Sequence, residues 1–473
     1  MPDQSLDKEI FNTKSSQKGI NRRSFIGGMT ALGVSGIASS FTLPVKVSFL
    51  PLQEANHKVI RNGYVLTMDA QRGNLPRGDV LISGGKITAV GEKLEVPAGT
   101  EEVNAENMMV LPGFVETHWH IWNSLMRSLI GSKPGVGYFE MKDLIGQHFR
   151  PQDTYAATRF AVAEALNSGI TTLHDWNHNV RGPEYAEASL RALKELGIRG
   201  RFSQGQAAAG EPYVDLELLE HLHQHWADYS NEGLLKLGLA SARITDDDPK
   251  RKKEVIKARE LGLPVSVHAD TLSGFEDLLG NDFQIIHAME MDKKAFEKMA
   301  KTGASVSFSP FSEMRIGFGL PPVVDALNSG VSIGLSVDTT PLSGNADMFA
   351  LMKVFLNLTN GMAQDEFKVS ARSVLEIATN EGARSLGMEN VCGSLTPGKR
   401  ADVIMVSVKD INMGVLTDPE NLLVLSAQPA NVDSVLVDGK FRKRNGQLVG
   451  INQEEIISEA RGSLNYLLKK SGW

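Results

Sequence analysis

Apolar and polar positions change rhythm twice along this chain. From His57 to Val110, short runs of alternating residues are broken by turn signals, the period-two signature of half-buried strands. Lys58-Val59-Ile60-Arg61, Asn62-Gly63 and Tyr64-Val65-Leu66-Thr67-Met68 predict a hairpin, with Asn-Gly supplying the positive φ angles of a tight turn. Asp79 to Ser83, Gly84-Gly85 and Lys86 to Val90 predict a second. The same pattern returns near the other end, in Ala401 to Val406 and in Val432 to Lys440. Each block alone leaves open sheet edges and half a core. Together they predict one small β-sandwich built from both chain ends.

Between these blocks, strand and helix alternate. Val110–Thr117, Gly169–His174, Ile198–Phe202 and Leu234–Ala240 read as strands, followed by Pro264–His268, Phe283–His287, Ala304–Ser309 and Val331–Val337. Glu184 to Leu196 carries Ala, Leu and charge at helical spacing. Eight such units predict an α/β fold, a (β/α)8 barrel, whose active site lies at the C-terminal ends of its strands. The expected division is 1–50 targeting segment and linker, 57–110 first half of the sandwich, 111–388 barrel, 389–450 second half of the sandwich, and 451–473 a C-terminal helix.

Composition narrows the classes. Hydrophobic residues make up 42% and charged residues 22%, as in a soluble protein with a large core. A net charge of −7 speaks against a nucleic-acid partner. The basic run Lys250-Arg251-Lys252-Lys253 follows Asp246-Asp247-Asp248 at a helix start and reads as solvated surface. Cys392 is the single cysteine, so a metal has to be held by nitrogen and oxygen. Asn21-Arg22-Arg23-Ser24-Phe25-Ile26 precedes an uncharged run from Gly27 to about Leu43, too weakly apolar for a membrane span. It resembles a twin-arginine export signal, departing from it at Asn21 and Gly27, with Ala38-Ser39-Ser40 offering a cleavage site. That resemblance implies the twin-arginine export machinery as a partner and a periplasmic location, with an uncleaved anchor as the alternative.

The chemistry gathers at strand ends. His118-Trp119-His120 closes the first barrel strand, and residues two apart on a strand point the same way. His268, His287 and Asp338 close three others. Five candidate ligands so placed point to a metal-dependent hydrolase. Trp122 and Trp176 suggest a pocket that stacks on a flat or apolar substrate, against the alternative of loop packing. His174 and His178 are candidates for substrate contact or ordinary loop histidines, and Gln204 and Gln206 are candidate polar contacts. His221 and His225 share a face of a solvated helix.

Four stretches carry a family resemblance: Leu111 to His120, Ser336 to Thr339, Ala378 to Gly387 and Gly393 to Asp402. They resemble the amidohydrolase superfamily, in particular its cytosine-deaminase and triazine-hydrolase branch and an exported subgroup of it. The resemblance spans about Lys58 to Gln447. It implies that His118, His120, His268 and Asp338 hold one divalent ion, zinc first and iron second. Such an ion lowers the pKa of a water from about 15.7 towards roughly 7, giving hydroxide near neutral pH. Asp338 then takes the water's proton, and His287 orients the nucleophile or polarises the substrate. Lys236 sits near the start of its strand, which disfavours a lysine-bridged second ion.

One position departs from the branch. A glutamate usually stands three residues after the fifth-strand histidine, moving a proton to the leaving group. Here His268-Ala269-Asp270-Thr271 places Thr271 there. Asp270 and Glu313, the latter just past the seventh strand, are the candidate replacements. The expected function is hydrolysis of a carbon–nitrogen bond, outside linear peptides, in a cyclic or heteroaromatic small molecule. Deamination, cyclic-amide opening and removal of another leaving group such as halide remain open. So do a homo-oligomer and a catalytically inactive metal- or ligand-binding barrel.

Overall fold

Gly113 divides one apolar run between two sheets. The computed structural model describes residues 57–131, 133–207, 212–242, 244 and 248–473. The expected targeting segment lies outside them. Val110 to Thr117 was expected as a single strand. Instead Met108–Pro112 belongs to one sheet and Phe114–Trp119 to the other. The crossing needs glycine, because a Cβ at 113 would lie 2.1 Å from Thr171 Oγ1. The Gly113 N–H donates to Asp402 O at 3.0 Å, tying the crossing to the C-terminal block.

The barrel sheet has eight strands, each parallel to its neighbour in sequence. They are Phe114–Trp119, Ile170–Asn177, Arg199–Gln204 and Leu235–Ser241, then Val265–Ala269, Phe283–His287, Ser305–Phe308 and Ser332–Leu335. Helices such as Pro183–Leu196, closed by Gly197 at φ 64°, run between them. The end of the first strand and the segment just past the last one meet through a single bridge, Trp119 to Asp338. His120 N–H donates to Asp338 O at 2.7 Å and Asp338 N–H to His118 O at 3.0 Å. Below this bridge the buried Glu116 carboxylate replaces the missing ladder, accepting the His118 and Val337 N–H groups at 2.8 Å each. Burial pushes the pKa of Glu116 well up, against the pull of those two donors.

The second sheet has nine strands and comes from both ends of the described chain, as expected of the sandwich. Met108–Pro112 pairs with Val403–Ser407 on one side and with His57–Leu66 on the other. Ile60, Val65, Val80, Leu395 and Leu436 form its core. The predicted hairpin at Asn62-Gly63 is absent. His57–Leu66 is one strand with irregular register at that point. Asn62 does take a positive φ of 65°, but it makes a bulge. Gly63 is required by close approach instead, since a Cβ there would meet Val110 Cγ2 at 2.4 Å. The turn at Gly84-Gly85 forms as read.

Arg199 clasps sheet to sheet, its buried guanidinium donating to both oxygens of Asp402 and to Asp438. The C-terminal helix Gln453–Ser471, capped by Asn452, lies on the helix Pro151–Asn167, where Arg159 pairs with Glu455 and Glu459. Of the basic run, Arg251 is not surface: it is buried and paired with Glu254 at 3.1 Å. His221 is exposed on its helix, as read. No helix among the described residues is long and apolar enough to cross a membrane.

Candidate active site

At the C-terminal mouth of the barrel, His118, His268, His287 and Asp338 each offer one ligand atom, all within 4.8 Å of one another. His120 joins them, its Nε2 lying 3.3 Å from Asp338 Oδ1, the oxygen that His118 Nε2 approaches at 3.1 Å. All five expected residues therefore converge. His287 and Asp338 hold left-handed backbone angles, φ 71° and 56°, a strain that non-glycine residues keep only where the surroundings enforce it.

The hydrogen bonding shows what this cluster lacks. His120 Nδ1 lies 2.9 Å from the carbonyl of Trp176, which can only accept, so Nδ1 carries the ring hydrogen. Nε2 then presents a lone pair to the carboxylate oxygen of Asp338. Two acceptors face each other at 3.3 Å, an arrangement that a cation between them relieves. Burial pushes the pKa values of His118, His120 and His268 well down, leaving the neutral form that ligates metals. Neutral imidazoles with one carboxylate fit a divalent ion of the zinc or iron kind.

His287 differs from its neighbours. Burial lowers its pKa, but the hydrogen bond from Nδ1 to Glu313 Oε1 (3.0 Å) and the charges of Asp338, Glu313 and Asp270 outweigh burial and raise it. Ser312 Oγ donates to Asp338 Oδ2. Lys236 is at the far end of the barrel, its Nζ 3.3 Å from Gly387 O, and takes no part.

The cluster opens into a cavity of about 270 Å3. Trp176, Tyr138, Phe139, Ile316 and Phe318 give it apolar and aromatic walls. Lys142, Gln206, Asp270 and His178 add polar groups. Phe139 and Phe318 stand half exposed at its rim, ring centroids 6.5 Å apart. Its size suits a small ring system more than an extended chain.

Three expected substrate contacts do not reach this cavity. Trp122 is fully buried and packs on Phe149, so the loop-packing alternative holds for it. His174 lies one layer down in the barrel, Nδ1 to Thr117 O at 2.9 Å and Nε2 to Ser203 Oγ at 2.8 Å, and burial pushes its pKa down to about 3. Gln204 is buried and donates to Asp215 O at 2.8 Å. Trp176 does line the cavity, with its indole N–H 3.2 Å from Ser266 Oγ. Glu313, expected as a proton-moving carboxylate, stands behind His287, its Oε1 3.0 Å from Nδ1, and does not line the cavity. Thr271 borders a separate outer hollow, whereas Asp270 lines the cavity. Tyr138, Phe139, Lys142 and Phe318 were not read from the sequence; they come from loops and short helices with no strand-end signal.

The model of the amidohydrolase family matches residues 109–442. The chain belongs to the amidohydrolase family. A 5'-deoxyadenosine deaminase of Methanosarcina acetivorans is 27% identical to it over 443 residues, covering 87% of this chain and 99% of its own. A 5-methylthioadenosine/S-adenosylhomocysteine deaminase of Syntrophomonas wolfei is 27% identical over 438 residues, with 87% and 99% covered. Among solved structures, an adenosine deaminase from Xanthomonas campestris with bound zinc superposes with a TM-score of 0.77 at 22% identity, covering 87% of this chain and 98% of that one. An atrazine chlorohydrolase from Arthrobacter aurescens in complex with zinc gives 0.74 at 21%, with 86% and 100% covered. This amidohydrolase is an enzyme, a hydrolase of carbon–nitrogen bonds outside linear peptides, and its His/Asp cluster can hold a metal ion.

Proposed function

We propose that the protein is a zinc-dependent hydrolase that deaminates a small, flat heteroaromatic compound, an aminopurine derivative being the first candidate. The observation that carries this reading is the convergence of His118, His120, His268 and Asp338 at the floor of a ring-sized aromatic cavity that Asp270 also lines. The relatives named as deaminases of adenosine derivatives support the substrate class, and the zinc in the similar structures supports the metal.

His118, His120, His268 and Asp338 would hold the zinc, which when bound supplies an activated water. The remaining work belongs to the chain. Asp338 accepts a proton at its carboxylate, held in place by the Ser312 hydroxyl. His287, kept protonatable by Glu313, donates a hydrogen bond to the group that gains negative charge as the ring carbon is attacked. Asp270 moves a proton to the departing amine, taking the part that Thr271 cannot. Trp176, Tyr138 and the two rim phenylalanines exclude water and hold the ring flat.

Zinc-loaded protein is incubated with adenosine, 5'-deoxyadenosine, 5'-methylthioadenosine, aminotriazines and cyclic amides. Ammonia release with the ring intact is expected from an amino-substituted ring. Turnover of cyclic amides alone, without ammonia, sinks this reading in favour of ring opening. The twin-arginine resemblance supports export to the periplasm, with release from the membrane after cleavage near Ala38. Replacing both Arg22 and Arg23 by lysine is expected to hold the protein in the cytoplasm on cell fractionation.

A further inference from the structure

Trp122 and His120 donate to one and the same atom. The Trp122 indole nitrogen lies 3.3 Å from His178 Nδ1, and His120 Nδ1 lies 2.8 Å from it. An indole N–H can only donate. His120 Nδ1 already carries its hydrogen, because the Trp176 carbonyl beside it can only accept. His178 Nδ1 is therefore the acceptor for both. A neutral imidazole owns one hydrogen, and in His178 that hydrogen is left to Nε2. A nitrogen that accepts the indole N–H carries no proton, so the ring is in its neutral form. The ring lines the cavity next to His120, His268 and Trp176.

We propose that His178 is a substrate-binding residue whose tautomer is locked, presenting Nε2–H as a fixed donor to the substrate. It selects rings that place an acceptor, a pyridine-type nitrogen or a carbonyl oxygen, on the edge beside the metal ligands. This rests on the deaminase reading above and deepens it. The lock also explains the buried Trp122: it acts on the substrate one residue removed, by fixing which nitrogen of His178 is bare. A ligand offering a second donor at this edge meets hydrogen against hydrogen and is rejected, as sites built around one polar contact reject its mismatch.

Two conservative variants separate this role from mere support of His120. In His178→Asn the side-chain oxygen reaches the place of Nδ1 and still accepts from Trp122 and His120, but no donor reaches the place of Nε2. In His178→Gln the amide reaches the place of Nε2. The best substrate of the panel above is used, with zinc content measured alongside. His178→Asn is expected to raise KM at least about tenfold with kcat within about threefold and zinc retained, while His178→Gln restores most of that loss. The opposite order, Asn restoring and Gln not, overturns the proposal and leaves His178 as a support for His120. The tautomer is read separately by nitrogen-15 NMR of histidine-labelled protein, with and without zinc. Hydrogen on Nε2 is expected, and hydrogen on Nδ1 overturns the lock. If the wild type turns over nothing in the panel, the deaminase reading fails by itself, and the NMR result decides the tautomer independently of it.

Discussion

His287 Nδ1 lies 3.0 Å from Glu313 Oε1, and the same oxygen accepts the Ser309 N–H at 2.8 Å. This fixes the imidazole plane and leaves its other nitrogen for the cavity. Glu313→Gln keeps an acceptor for both donors, whereas Glu313→Leu leaves them buried without one. Steady-state kinetics are expected to show kcat lowered about tenfold for Gln and about 100-fold or more for Leu, with zinc content unchanged in the Gln variant. Equal losses in the two variants would mean that the contact does not orient His287.

Asp338 is assigned both to hold the ion and to accept a proton. Asp338→Asn retains an oxygen ligand but loses the basic carboxylate. It is expected to keep zinc by elemental analysis and to lose about 10²- to 10⁴-fold in kcat. Chelation is expected to abolish turnover and lower Tm, and added zinc to restore both. Turnover that survives complete zinc removal would sink the metal assignment.

Asp175 supplies a pH dependence of stability away from the cluster. It is fully buried, with Ser189 Oγ at 2.7 Å from Oδ2 and Oδ1 without a partner among the described residues. Burial, only partly opposed by Ser189 and Asn177, pushes its pKa up to about 7. An unfolded aspartate titrates near 3.9. Between those values the unfolded chain has lost the proton that the folded chain retains, so stability falls as pH rises from about 4 to about 7 and is then level. The full effect is at most about 4 kcal/mol. Asp175→Asn is expected to remove this slope, matching the wild type in urea unfolding near pH 4 and exceeding it at pH 8.

Gly113→Ala tests the crossing between the sheets. Its methyl would fall 2.1 Å from Thr171 Oγ1, with the Gly113 N–H held by Asp402 O and Thr171 inside the fully buried strand Ile170–Asn177. A loss of about 2 to 4 kcal/mol in chemical unfolding is expected. Gly73→Ala serves as a control for glycine replacement in general. Its Cβ meets nothing, and it carries only the cost of φ 68°.

The fold and the metal cluster were legible for one reason: both are written in strand periodicity. Alternation fixes which residues face inward, and the ends of the runs fix the level, so His118, His120, His268, His287 and Asp338 could be placed without coordinates. His174 shows where that reasoning stops. It faces inward like the ligands, but one layer lower, among Thr117 and Ser203, and periodicity does not count layers. Trp122 lies beyond its strand, where backbone direction is set by tertiary contacts, and Gln204 closes its strand with the parity opposite to that of Ser203, whose hydroxyl faces His174. The cavity walls at Tyr138, Phe139 and Phe318 come from connections whose shape no local pattern encodes. The Asn62-Gly63 misreading has the same root, since a residue pair that permits positive φ serves a bulge as well as a turn.

The bridge at Trp119 and Asp338 has a consequence for assembly. The barrel's first and eighth strands share one backbone bridge, at the level of the ligands, with the Glu116 carboxylate and the Thr117 hydroxyl, which donates to Leu335 O at 2.9 Å, as side-chain tethers below it. An ion shared by His118, His120 and Asp338 would therefore also stitch the wall shut. Loading and final closure would be one event, and the apo protein would breathe along this line first. Deuterium uptake at the amides of His118, His120, Val337 and Asp338 would rise on demetallation before it rises elsewhere in the barrel.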